Sequence, residues 1–294
     1  MKKFTKKLLS FLLFFLMVFT VLNMLYLLVL AITDWDFRKR IEALRFENPG
    51  FELLVLGNSR AEYGVDTELL TSSGIKSYNL SLIGNSERTC YIQLNEYLSK
   101  HTVKPGYVFV VLNSTLDEID RSGIQPIVEF TMAGHKYGIN DIPVSKFRWF
   151  SVEVLKKMVS KRFRITEITY GQVKSLGRIP DNSDYKENYL DIKKYESSYW
   201  IGEIARLCII NGIEIKIVEI PAVKESQNLS DSGPYKLDFK NGYSTQLYNF
   251  NSRDFCSIID PENDWGGLSH LNKSGSAKFT KVLLRLLNTE EVNE

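Results

Sequence analysis

The chain is short of the residues that usually announce a metal site or a covalent framework. Its three cysteines, Cys90, Cys208 and Cys256, are odd in number and far apart, so neither a disulfide framework nor a zinc site follows. As small apolar side chains they are expected in the core. Histidine is equally scarce. His101 and His135 have no partners nearby in sequence and are expected at the surface. Charge of either sign is not in excess: 37 Lys and Arg face 35 Asp and Glu, and four of the lysines fall in the first seven residues. That balance gives no footprint for nucleic acid. The one basic-aromatic run, Lys161–Arg164, reads as a solvated helix face rather than a polymer-binding site. No internal repeat and no low-complexity tract is present. Asn-x-Ser/Thr matches at Asn79, Asn113, Asn228 and Asn272 are short and are not read as glycosylation sites.

What the chain does have begins with its N-terminus. Met1-Lys-Lys-Phe-Thr-Lys-Lys precedes Leu8–Ile32, a stretch of about 25 residues without a charge, long enough to cross a bilayer with some tilt. A cleavable signal peptide has a shorter apolar core and a small-x-small exit. Ala31-Ile32-Thr33-Asp34 is a poor match to such an exit, so residues 1–33 are expected to form an uncleaved signal anchor. The pure Lys cluster before the span, against mixed charge after it, holds the N-terminus in the cytoplasm and sends the rest outside. Residues 34–50 read as a juxtamembrane linker ending on the breaker pair Pro49-Gly50.

The remaining 51–294 holds material for one α/β domain, since 44% of the chain is hydrophobic. Glu52–Leu56 reads as a buried strand turning through Gly57-Asn58-Ser59-Arg60 into helix-compatible sequence. Lys76–Leu80 is a short strand, Glu87–Lys100 an amphipathic helix, and Tyr107–Leu112 (YVFVVL) an apolar run typical of a central parallel strand. Strand and helix alternating this closely predict a parallel sheet built by right-handed crossovers. From about 114 to 194 the periodicity degrades, and an insertion of helices and long loops is expected there. Tyr195–Asn211 reads as one helix stopped by Gly212, Glu214–Ile220 as a strand, and Val223–Phe250 as a second long loop. Phe255–Ile259 (FCSII) is predicted as the last strand and Lys273–Leu287 as the closing helix.

In a parallel sheet, Ser59, Gly84-Asn85 and Asn113 follow successive strands and share the carboxyl edge, where open α/β sheets put their ligands. His270, just before the last helix, falls near that edge too. A serine hydroxyl is a weak nucleophile until a base in hydrogen-bond reach takes its proton, and His is the usual one. The oxyanion that follows needs donors, for which the Ser59 and Gly84 N–H groups and the Asn113 amide are candidates. A second reading of Ser59 is a helix N-cap, with Glu62 completing a capping box.

Ser59 in GNSR, Gly84 in LIGNS, Asn113 in VVLN and His270 in SHLN resemble the blocks of the SGNH (GDSL-like) hydrolase superfamily. The longer stretches LLVLGNSRAEYGVDTELL, SYNLSLIGNS and SHLNKSGSAKFT are similar to its membrane-anchored branch, which includes DltD-like proteins of teichoic-acid modification and SGNH-like polysaccharide O-acetyltransferases. The resemblance covers residues 51–115 and 255–290 in rough bounds. It implies a three-layer α/β/α, flavodoxin-like fold and acyl transfer or ester hydrolysis on a cell-surface glycan or envelope polymer. It also implies action beside a membrane-bound O-acyltransferase, and a mechanism needing no metal or organic cofactor. Ser59 would be the nucleophile, Gly84 and Asn113 oxyanion donors, and His270 the base and acid. Asn58 stands where the family has Asp, a residue structural in the turn. The family's Asp three before the His is Gly267 here, leaving Asp264, or Asp260 as a weaker substitute, to orient the imidazole. Without either, a Ser–His dyad or a silent binding and assembly module is implied. A plain lipase or esterase would show a deep apolar pocket.

Overall fold

The computed structural model describes residues 2–32, 50–112, 168–174, 189–221, 230–252, 255, 257–267 and 270–288. Helix α1 (Lys2–Ile32) spans the apolar N-terminal stretch. At 1.5 Å per residue it is roughly 45 Å long, more than the hydrocarbon core of a bilayer. Its side chains from Phe4 to Leu22 are largely exposed, and this is the one helix among the described residues long and apolar enough to cross a membrane.

Strands β1 (Leu53–Gly57), β2 (Ser77–Asn79), β3 (Tyr107–Leu112), β6 (Glu214–Glu219), β7 (Tyr235–Asp238) and β8 (Ser244–Asn249) form one sheet in the order β2-β1-β3-β6-β8-β7. All neighbours are parallel except the β7–β8 pair. Taken alone, the five parallel strands run in the flavodoxin-like order, with its topological switch point between β1 and β3. β1 is wholly buried, because Leu54 and Leu56 face one helical layer while Leu53 and Val55 face the other. The first layer is α4 (Glu87–Lys100) with α6 (Tyr199–Ile210); the second is α2 (Ser59–Gly64), α3 (Thr67–Ser72) and α7 (Lys273–Asn288). The result is the expected three-layer α/β/α sandwich. Two small hairpins lie apart from this sheet: β4 (Ile168–Thr169) with β5 (Gln172–Val173), and β9 (Trp265–Gly267) with β10 (His270–Leu271).

Several local expectations differ from what forms. Phe255–Ile259 is not the last strand: of its described residues Phe255 is helical and 257–259 form a turn and bend, and the Phe255 ring packs against Phe250 and Phe279 in the core. The last parallel strand is β8, within the stretch expected as a loop. Its side chains alternate between exposed and buried, so the sequence STQLYN carries little apolar signal although Leu247 and Asn249 are fully buried. The helix expected over Tyr195–Asn211 is broken into α5 (Ile192–Ser197) and α6. Ser198 turns extended between them and caps the Ile201 N–H at 3.2 Å. His101 is buried, its ring 4.5 Å from that of Tyr97. Cys90 and Cys208 are free and buried as expected. Desolvation, with help from the Glu87 charge, pushes the Cys90 thiol up to about 12, and burial also raises Cys208. Asn79 and Asn272 are buried too. Cys256, His135, the Lys161–Arg164 run, residues 34–49 and most of the 114–194 insertion lie outside the described residues.

Candidate active site

The switch point between β1 and β3 leads into a tight turn. Gly57 ends β1 against β3, and a Cβ there would lie 2.3 Å from the Val111 carbonyl oxygen and 2.6 Å from the Ala61 Cβ. Only a bare Cα lets the strand come this close and still turn into a helix. Asn58 then supplies the N-cap of α2, its Oδ1 accepting from the Arg60 N–H at 3.0 Å. Since Asn58 is the cap, Ser59 is not, and the capping-box reading does not describe this turn. Ser59 occupies the first helical position with its hydroxyl directed elsewhere.

That hydroxyl meets His270. Ser59 Oγ lies 2.8 Å from His270 Nε2, across 211 residues of sequence. With the imidazole proton on Nδ1, the Ser59 O–H donates to Nε2, the arrangement from which a base removes a proton. Both side chains are half-buried. Tyr63, one helical turn after Ser59, sets its ring edge-on to the imidazole at 5.1 Å between centroids, inclined by 71°. Residues four apart share a helix face, so the Ser59–Tyr63 spacing was the sequence signal for this second ring. It walls one side of the imidazole and restricts its plane.

His270 is held by a hairpin whose base is Asp264. The Asp264 side chain is fully buried, yet it does not reach the imidazole. Its Oδ2 accepts from the Asp260 N–H and from Lys278 Nζ, each at 2.6 Å, while Oδ1 accepts no hydrogen bond among the described residues. Asp260 is engaged in its own turn, accepting from the Glu262 N–H at 2.8 Å, the Asn263 N–H at 3.1 Å and Asn263 Nδ2 at 2.7 Å. Those contacts, led by the Asn263 side chain, hold its carboxyl below the usual range. The expectation that Asp264 or Asp260 orients His270 is therefore corrected. These carboxylates brace the loop, accepting between them from five main-chain and side-chain donors. Asn272 completes the brace. Its N–H donates to the Asp264 carbonyl at 2.9 Å, its Nδ2 to the Asn263 carbonyl at 2.7 Å, and its Oδ1 caps the Ser274 and Gly275 N–H groups at the start of α7.

Gly84 sits in the turn after β2, at φ +68, a conformation glycine adopts without strain. The turn is fastened to the end of β1. The Leu82 N–H and Asn85 Nδ2 both donate to the Gly57 carbonyl, at 3.3 and 3.1 Å, and Asn85 Nδ2 also donates to Gln93 Oε1 at 2.8 Å. Gly84 is thus held at the carboxyl edge beside the Ser59 turn. Asn113 lies outside the described residues. Among those residues, no group of three or more His, Cys, Asp or Glu side chains is disposed to hold a metal ion.

No family model and no curated protein matches the chain. Among solved structures, it is similar to a Streptococcus pneumonia protein provisionally described as a platelet activating factor. The two share 12% sequence identity over 91% of this chain and 98% of the other, with a TM-score of 0.39.

Proposed function

We propose that this is a membrane-anchored acyltransferase or esterase of SGNH-like type that works through an acyl-Ser59 intermediate. The supporting observation is the 2.8 Å approach of Ser59 Oγ to His270 Nε2 at the carboxyl edge of the sheet. In the proposed step, Ser59 Oγ attacks an ester carbonyl as His270 Nε2 takes its proton. The tetrahedral adduct collapses, breaking the ester C–O bond, and the departing alcohol takes that proton from His270. A second hydroxyl, from a sugar, a polyol or water, then attacks the acyl-serine as His270 takes its proton; the acyl–Oγ bond breaks and His270 returns the proton to Ser59 Oγ. The Ser59 and Gly84 N–H groups and the Asn113 amide are the proposed oxyanion donors. The apolar length of α1 and the lysines in its first two turns support a single-pass anchor with the domain outside the cytoplasm. There the acceptor would be a cell-surface glycan or envelope polymer, with the acyl group supplied by a membrane-bound O-acyltransferase.

One observation favours a second reading, a silent binding module partnering such a system: neither Asp264 nor Asp260 touches the imidazole. Full-length protein in detergent, incubated with an activated acetyl ester and digested for mass spectrometry, separates the two. The enzyme gives an acetyl adduct on Ser59 that Ser59→Ala abolishes, together with Ser59-dependent release of the leaving group. Wild-type protein without adduct or release leaves the binding module.

A further inference from the structure

The helices adjoining the reactive pair meet along a polar seam. Helix α2 begins at Ser59, and α7 begins three residues after His270. Beside them, the Asp66 N–H donates to Thr280 Oγ1 of α7 at 2.8 Å. Into this seam comes the β4–β5 hairpin, more than one hundred residues away in sequence from either side. The Tyr170 carbonyl accepts from the Asn79 N–H and from Thr67 Oγ1, both at 2.9 Å. A Cβ on Gly171 would lie 2.1 Å from the Asn79 carbonyl oxygen, so the hairpin backbone rests directly on the end of β2. Asn79 in turn donates from Nδ2 to the Ala61 carbonyl at 2.9 Å, inside the helix that Ser59 starts.

From the other side of the hairpin, Gln172 reaches α7. It is fully buried, and its Nε2 donates to Ser276 Oγ at 3.0 Å. Its Oε1 accepts no hydrogen bond among the described residues. An aliphatic side chain of similar size would pack there without an unfilled acceptor, so packing alone does not account for an amide. Ser276 is also fully buried and lies in the first turn of α7, with its N–H on the Asn272 carbonyl at 2.8 Å. Two residues before Asn272 is His270.

We propose that Gln172 is a positioning residue for the Ser59–His270 pair. Its hydrogen bond to Ser276 sets the first turn of α7, and with it His270, at the depth that meets Ser59. The hairpin supplies the fixed reference, because its other face is tied through Tyr170 and Asn79 to α2. This rests on the reading of Ser59 and His270 as the reactive pair.

The test uses the full chain in detergent with carbon-13 in the histidine rings. The chain has three histidines, and His270→Gln assigns the relevant Cε1–Hε1 resonance. Ser59→Ala is expected to displace that resonance in the wild-type background. In Gln172→Leu or Ser276→Ala backgrounds the displacement shrinks by more than half, and combining the two shrinks it no further. Lys174→Ala, which removes the ion pair between the end of the same hairpin and exposed Glu68 of α3, leaves it unchanged. On an activated acetyl ester, kcat falls about ten- to a hundred-fold in Gln172→Leu while KM holds. A displacement of full size in both backgrounds, with only the melting temperature lowered, overturns the positioning role and leaves the pair intact. A His270 resonance that ignores Ser59→Ala in the wild-type chain overturns the pair itself and the positioning role with it. If Gln172→Leu does not fold, Ser276→Ala, which removes a single hydroxyl, decides alone.

Discussion

The placement of Asp264 makes a prediction that separates a loop brace from a catalytic carboxylate. Asp264→Asn keeps an oxygen to accept from the Asp260 N–H but loses the charge facing Lys278. Lys278 is 40% exposed and returns easily to water, so screening limits the loss to about 1 kcal/mol. Asp264→Ala removes both contacts and leaves the Asp260 N–H without its short bond. Bonds to a charged acceptor contribute about 1.5–3 kcal/mol, so a total near 3 kcal/mol is expected. For a domain of this size each kcal/mol lowers the melting temperature by about 2–4 °C, giving roughly 3 °C for Asn and roughly 9 °C for Ala. Thermal unfolding in detergent measures this, and ester turnover is followed in parallel at a temperature where both variants are folded. Turnover per folded molecule should stay within about threefold of wild type for Asp264→Asn, whereas an orienting carboxylate changed to its amide costs on the order of ten-thousand-fold. A loss of a hundredfold or more in Asp264→Asn, with the melting temperature nearly unchanged, would refute the placement.

Other outcomes follow from single contacts. Gly57→Ala puts a methyl group onto the Val111 carbonyl oxygen at 2.3 Å and onto Ala61, so it should destabilise the domain by about 3 kcal/mol or more, read from the urea midpoint. Asn58→Ala removes the cap of α2 and should cost about 1 kcal/mol, while Asn58→Asp, which caps equally well, should be near neutral; unequal unfolding midpoints for wild type and Asn58→Asp would contradict the cap assignment. Cys90 and Cys208 should resist iodoacetamide in the native protein at pH 8 and react once it is unfolded, because burial holds both thiols protonated. Peptide mass spectrometry showing native alkylation at either position would count against the buried placement.

Much of this architecture was legible in the residues, and the parts that were not share a physical cause. Strands β1 and β3 are buried on both faces, so their continuous apolar runs are unambiguous, and the α4 helix matches its expected bounds of Glu87–Lys100. Strand β8 was not legible because one of its faces is largely solvated, while the apolar FCSII segment is equally suited to a turn that buries its ends. The break at Ser198 depends on a single capping hydroxyl, invisible to periodicity. The edge position of Ser59 and His270 followed from parallel topology. That neither Asp264 nor Asp260 turns to the imidazole did not, since it depends on Lys278 and the Asp260 N–H competing for Asp264 at contact range. Tyr63 was available from its i+4 spacing to Ser59.

The two members of the pair are 211 residues apart, and this separation has a consequence for biosynthesis. Ribosomes extend chains at about 5–20 residues per second, so the serine is made roughly 10–40 s before the histidine. Through that interval the hydroxyl has no base beside it and is as inert as any other alcohol. On the proposed reading, a nascent or C-terminally clipped chain therefore carries an unarmed serine, and acyl transfer would begin only when the final helix docks.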